Sequence, residues 1–126
     1  MSEEMFCYQC EQTAGGRACA GRAGVCGKTS EVAMLQDELT GALVGLANTV
    51  ETPTPETDSL VRRALFATLT NVDFDADSIR ALTDDVRKAS GGKGEIRMSS
   101  VWCAQEDIRS LKSLILFGVR GMAAYA

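Results

Sequence analysis

Cys7, Cys10, Cys19 and Cys26 follow one another in the spacing Cys-x2-Cys-x8-Cys-x6-Cys, and a fifth cysteine, Cys103, stands alone far downstream. Four thiols crowded in this way suit metal ligation. Two cysteines separated by two residues aim their sulfurs at one centre from a single turn, and a loop returns the later pair. Histidine is absent from the whole chain, which excludes Cys-His zinc fingers and Ser-His or Cys-His catalytic pairs. Spacing leaves three chemistries open: an iron-sulfur cluster, a structural zinc site of four cysteines in an interaction module, or a redox dithiol at Cys7 and Cys10. The single CxxC, followed by looser glycine-rich spacings, differs from the paired knuckles of zinc ribbons and favours iron and sulfide. No strand pattern precedes the CxxC, which weighs against a thioredoxin-like dithiol.

The residues between the thiols fit that chemistry. Gly15, Gly16, Gly21, Gly24 and Gly27 let the backbone turn and bring its N–H groups close to anionic sulfur. Arg17, Arg22 and Lys28 either offset thiolate charge or are solvated surface cations. Met5, Phe6 and Tyr8 either keep water from the site or pack on the rest of the fold. Cys103, next to Trp102, reads as a small, partly buried apolar side chain.

These thiols need a mount, and the remaining sequence supplies helices. Leu35, Leu39, Ala42, Leu43 and Leu46 share a face of a first helix over 31–49, capped by Thr29 or Ser30, with Gln36, Asp37 and Glu38 largely off that face. The segment ETPTPET at 51–57 reads as a connector. A second helix, 57–71, carries Leu60, Val61, Ala64, Leu65 and Leu69. Asp75 or Asp77 caps a third helix with Ile79, Leu82 and Val86, which stops at Gly91 and Gly92. The last begins near Gln105 and presents Ile108, Leu111, Ile115, Val119 and Met122. Its segment 111–124 aligns without gaps on 35–48 of the first helix. Glycine pairs in both, Gly41 with Gly45 and Gly118 with Gly121, point to close backbone approach, since glycine costs a helix up to about 1 kcal/mol. The expected fold is an all-α helical bundle with an irregular, glycine-rich iron-sulfur-binding loop at its N-terminus. It forms one domain, 1–126, with the loop in 1–30 and the helices in 31–126.

Composition narrows the partners. The 126 residues carry 13 Lys and Arg against 17 Asp and Glu, a net charge of −4 with no basic stripe, which argues against a nucleic-acid surface. No segment approaches the roughly 20 uninterrupted apolar residues of a membrane span, and the start lacks a secretory signal. The expected location is cytoplasmic, where crowded cysteines bind metal more readily than they form disulfides.

Two stretches resemble one known family. MFCYQCEQTAGGRAC followed by GVCGKTSEVAMLQDELTGALVGLA is similar to the start of the hybrid cluster proteins, also called prismane proteins or hydroxylamine reductases. EDIRSLKSLILFGVRGMAAYA resembles a second signature later in the same N-terminal domain. The resemblance implies that Cys7, Cys10, Cys19 and Cys26 bind a [4Fe-4S] cluster, or [2Fe-2S] as in some members. The eight residues between Cys10 and Cys19 resemble the shorter-loop, four-iron members, and the six between Cys19 and Cys26 the longer-loop members. It further implies an electron-transfer role, fed by a redox partner protein or reductase. Hydroxylamine or nitric oxide is then reduced at a second, hybrid iron-sulfur-oxygen cluster whose ligands lie in the remaining domains. Those segments are missing here, so this chain is expected to be part of a longer oxidoreductase, to hold no catalytic residue and to be inactive alone.

Overall fold

The computed structural model describes residues 5–10, 18–69 and 72–126. Five helices are present among them: α1 Ser30–Thr49, α2 Pro55–Ala67, α3 Ala76–Ser90, α4 Met98–Trp102 and α5 Glu106–Tyr125. A two-stranded antiparallel hairpin, β1 Met5–Phe6 with β2 Ala20–Gly21, is the only sheet among the described residues. Its register pairs Met5 with Gly21 and Phe6 with Ala20. The expected all-α class therefore holds, with this small hairpin added. No helix of the described residues is long and apolar enough to cross a membrane.

Local chemistry sets the helix ends. Thr29 caps α1 by accepting from the Val32 N–H, and Asp75 caps α3 by accepting from that of Asp77. Gly91, at φ 66°, ends α3 in the left-handed conformation that glycine adopts without a steric penalty. The proline segment behaves differently from the expected connector. Thr54 caps α2 and Pro55 is its first residue, a position where the missing N–H needs no partner and φ is already helical. That helix also stops at Ala67, short of the expected 71. Helix α4, at five residues, is too short to show a period in sequence.

The main core lies between α1, α2 and α3. Val32, Leu39, Ala42, Leu43 and Leu46 of α1 meet Ala64 and Ala67 of α2 and Ile79 and Val86 of α3. The loop after α3 crosses α1 where two glycines leave room. A Cβ at Gly41 would collide with the Ile96 carbonyl, and one at Gly45 would lie 2.6 Å from the Lys93 carbonyl. The Ile96 N–H donates to the Gly41 carbonyl at 3.4 Å. The close approach expected at these glycines is real, but the partner is a loop rather than another helix.

Helix α5 departs from its expected packing. Ile108, Leu111, Leu114, Ile115, Val119 and Met122 are exposed, Leu111 at 62%. The buried residues of α5 are Arg120 and Ala123. A Cβ at Gly118 or Gly121 would meet nothing within 4 Å among the described residues. The period that marks α5 as amphipathic is present, yet its apolar stripe points away from the bundle and a narrow arginine-bearing face points in.

Candidate metal centre

Residues 5–10 run as an extended segment in which Met5, Cys7 and Gln9 are buried while Phe6, Tyr8 and Cys10 are half-buried. This is the two-residue alternation of a strand lying on a surface. The inward residues dock on the first turns of α1, where Met5, Cys7 and Ala33 form a small buried cluster and Cys19 packs against it. The hairpin brings the first and third cysteines together, the Cys7 N–H donating to the Cys19 carbonyl at 3.0 Å.

The fourth cysteine arrives through a glycine turn. The Gly27 N–H donates to the Gly24 carbonyl at 2.9 Å, and the Gly24 N–H to the Lys28 carbonyl at 2.8 Å. Gly27, at φ 88°, takes a conformation that side chains resist. A Cβ on Gly24 would lie 3.4 Å from both the Cys26 Sγ and the Met5 Cε, so these two side chains flank the space beside Gly24. Cys10 lies close enough to Cys7 for its charge to bear on that thiol.

The hairpin thus joins Cys7 to Cys19, Cys10 lies near Cys7, and the glycine turn carries Cys26, which is exposed. Among the described residues, however, no three or more Cys, Asp or Glu side chains are already disposed around a metal position. The residues from 11 to 17, including Gly15, Gly16 and Arg17, lie outside the described residues. Donor chemistry is what fits an iron-sulfur group: thiols gathered by a hairpin and a glycine turn, beside a buried cation. Cys103 is exposed rather than partly buried.

Beneath the cysteine segment lies a charged network that the apolar period gives no sign of. Lys28 is 1% exposed, and its Nζ donates to the Gln36 Oε1. Gln36 is itself fully buried, contrary to its place off the expected apolar face. Its Nε2 donates to the carbonyls of Ala67 and Asp73 at 3.3 and 2.9 Å. The Gln9 Nε2 donates to the Asp37 Oδ1 at 2.6 Å. Arg120, 3% exposed, donates from Nε to the Thr68 Oγ1 at 3.1 Å and from Nη2 to the Thr40 Oγ1 at 3.0 Å. Arg22 is exposed, so Lys28 is the described cation of the cysteine segment that is turned inward.

Burial dominates the electrostatics. It pushes the Cys7 thiol up, while a backbone hydrogen bond at Gln9 and the charge of Lys28 pull it down. It pushes Asp37 up to about 7 against the Gln9 hydrogen bond and the charges of Arg120 and Lys28. It also pulls Arg120 below the usual guanidinium value, with Asp37 and Cys7 acting in the opposite direction.

Aromatic rings wall the outer side. The Phe6 ring lies tilted at 4.8 Å from Tyr8 and 4.9 Å from Trp102, and Tyr8 lies edge-on 5.9 Å from Trp102. The Arg109 guanidinium sits over the Trp102 ring at 5.1 Å, tying α5 to the same patch. Phe6 and Tyr8 therefore pack against Trp102 of α4, the packing role of the two open to them from sequence.

The chain belongs to the Prismane/CO dehydrogenase family, whose model matches residues 5–126. Curated relatives named hydroxylamine reductase share this region. The protein of Methanocella arvoryzae is 39% identical over 97% of this chain and 30% of its own length. That of Acetivibrio thermocellus is 39% identical over 97% of this chain and 28% of its own. That of Desulfovibrio desulfuricans is 37% identical over all of this chain and 29% of its own. The chain spans under a third of the length of these relatives.

Proposed function

We propose that this chain is the electron-transfer domain of a hydroxylamine-reductase-type protein, with Cys7, Cys10, Cys19 and Cys26 holding a [4Fe-4S] cluster. The observation that supports this reading is the hairpin that joins Cys7 to Cys19 on α1, inside the family match, with Lys28 of the same cysteine segment buried. The cluster, when bound, supplies a one-electron carrier. The chain's own residues do the rest. Met5 and Ala33 seal Cys7 from water, and Phe6, Tyr8 and Trp102 cover the outer side. Helix α1, held by the core, fixes the hairpin so that little has to move when charge arrives.

Reduction of hydroxylamine or nitric oxide belongs, in this proposal, to a second cluster held by the remaining domains of the longer protein. The electron donor is a cytoplasmic redox partner. The chain alone has no histidine and one cysteine outside the cysteine segment, so we expect it not to turn over hydroxylamine with reduced viologen above the rate of a simple ferredoxin at equal iron.

The decisive experiment is anaerobic purification with iron, sulfide and zinc counts. The expected protein is brown, carries iron and acid-labile sulfide, and bleaches with dithionite; colourless protein with stoichiometric zinc would instead make it a structural module. Serine at Cys7, Cys10, Cys19 or Cys26 should each abolish iron retention, whereas Cys103→Ser should retain it fully. Full iron in any of the first four variants removes that residue from the ligand set.

A further inference from the structure

Two cations are buried beneath the cysteine lobe, and neither forms an ion pair with a carboxylate among the described residues. Lys28 gives its hydrogen bond to the neutral amide of Gln36, and Arg120 gives two to the hydroxyls of Thr40 and Thr68. The Arg120 Nη1 is buried with no hydrogen-bond partner among the described residues. Asp37, whose charge bears on both, has an Oδ1 already engaged by Gln9. Burying an ammonium or a guanidinium is costly unless opposite charge lies near. The two come from segments 92 residues apart in sequence, one two residues after Cys26 and one from α5, and both lie near enough to Cys7 for charge to act between them.

We propose that Lys28 and Arg120 are the built-in counter-charge of the cysteine-bound cluster and set its electron affinity, Lys28 being the stronger of the two. This rests on the reading that the four cysteines hold an iron-sulfur cluster. Four thiolates supply anionic charge to two cations that have no carboxylate in ion-pair contact among the described residues. An added electron makes that site one charge more negative with no atom transferred, so a fixed positive charge favours the reduced form. Lys28 acts directly on Cys7, and Cys7 is among the groups whose charge bears on Arg120. Both are positioning residues, since neither is a ligand.

The test is the midpoint potential of the loaded 126-residue chain, measured by mediated titration followed in the visible and by electron paramagnetic resonance. Lys28→Met should lower it by the equivalent of about tenfold in the reduction equilibrium, about 59 mV for a one-electron couple. Arg120→Gln should lower it by less. Lys28→Arg and Arg120→Lys, which keep the charge, should stay near the parent value. Cooperative melting and full iron content identify variants that are folded and loaded. If Lys28→Met does not fold, Arg120→Gln, in another element, decides alone. Folded, loaded, charge-removing variants with the parent potential would overturn the counter-charge role and leave the cluster reading standing. A parent chain that takes up no iron and sulfide overturns both.

Discussion

Helices α1 and α5 share a pattern of residues and have opposite fates. Aligned without gaps, Leu39 corresponds to Ile115, Leu43 to Val119 and Gly45 to Gly121. Leu39 and Leu43 are core residues of the main bundle, and Gly45 lies against the loop at 93–95. Ile115 and Val119 face outward, and a Cβ at Gly121 would meet nothing among the described residues. A helical period therefore shows that a helix has an apolar side, while the elements packed around it decide whether that side is filled. What α5 buries instead is Arg120, its link to α1 through Thr40 and to the end of α2 through Thr68.

The largest effect that separates the two helices is cavity formation. Leu39→Ala, at a position with no exposure, should lose about 2–5 kcal/mol of stability. The matching Ile115→Ala should stay within about 0.5 kcal/mol. Urea unfolding of both variants checks this, and equal losses would mean that α5 is packed in solution in a way the bundle does not show.

A second contrast follows from Asp37, the α1 carboxyl whose charge is felt by Arg120 of α5. Burial holds Asp37 at about 7 in the fold, against about 3.9 when unfolded. Between those values the folded chain keeps a proton that the unfolded chain has lost. Stability of the metal-free chain should therefore fall as pH rises from about 4 through 7 and level off above. Asp37→Asn, which still offers Gln9 an acceptor oxygen, should remove that slope and gain about 2–4 kcal/mol at pH 8. Thermal melts across pH test the sign, and an unchanged slope in the variant would assign it to another group.

The glycines give a smaller contrast. Gly41→Ala drives a methyl into the Ile96 carbonyl and should cost about 1–3 kcal/mol. Gly121→Ala has open space and should gain up to about 1 kcal/mol from helix propensity. Loss in both would show that α5 also has a close neighbour at this face.

Features written in a few adjacent residues were legible in the sequence. The caps, read as Thr29 or Ser30 and as Asp75 or Asp77, and Gly91 as a stop depend only on the backbone beside them, and the crowding of four cysteines needs no fold to be noticed. Pro55 was legible in type and misread in place, because one proline both ends extended chain and starts a helix. The inward turn of Lys28, Gln36 and Arg120 was not legible. Gln36 and Arg120 gain partners from segments distant in sequence, Lys28 is turned in by its bond to Gln36, and along the chain a charged or amide residue between apolar ones looks like a solvated face. The hairpin left no trace either, since the alternation of burial over 5–10 has no matching alternation of apolar and polar residues in Met-Phe-Cys-Tyr-Gln-Cys.

Trp102 is the only tryptophan of the chain, and it stands against Phe6 and Tyr8, on either side of Cys7. Its emission has a single origin, located where the hairpin meets α4. With the hairpin in place, rings and the Arg109 guanidinium cover part of the indole; with the hairpin lifted, water replaces them and the emission moves to the red. An iron-sulfur group on the neighbouring thiols would absorb in that same range and darken it. Trp102 emission would thus act as an optical gauge, its colour following the docking of the hairpin and its brightness the presence of a cluster on the proposed ligands, while circular dichroism follows the helices independently.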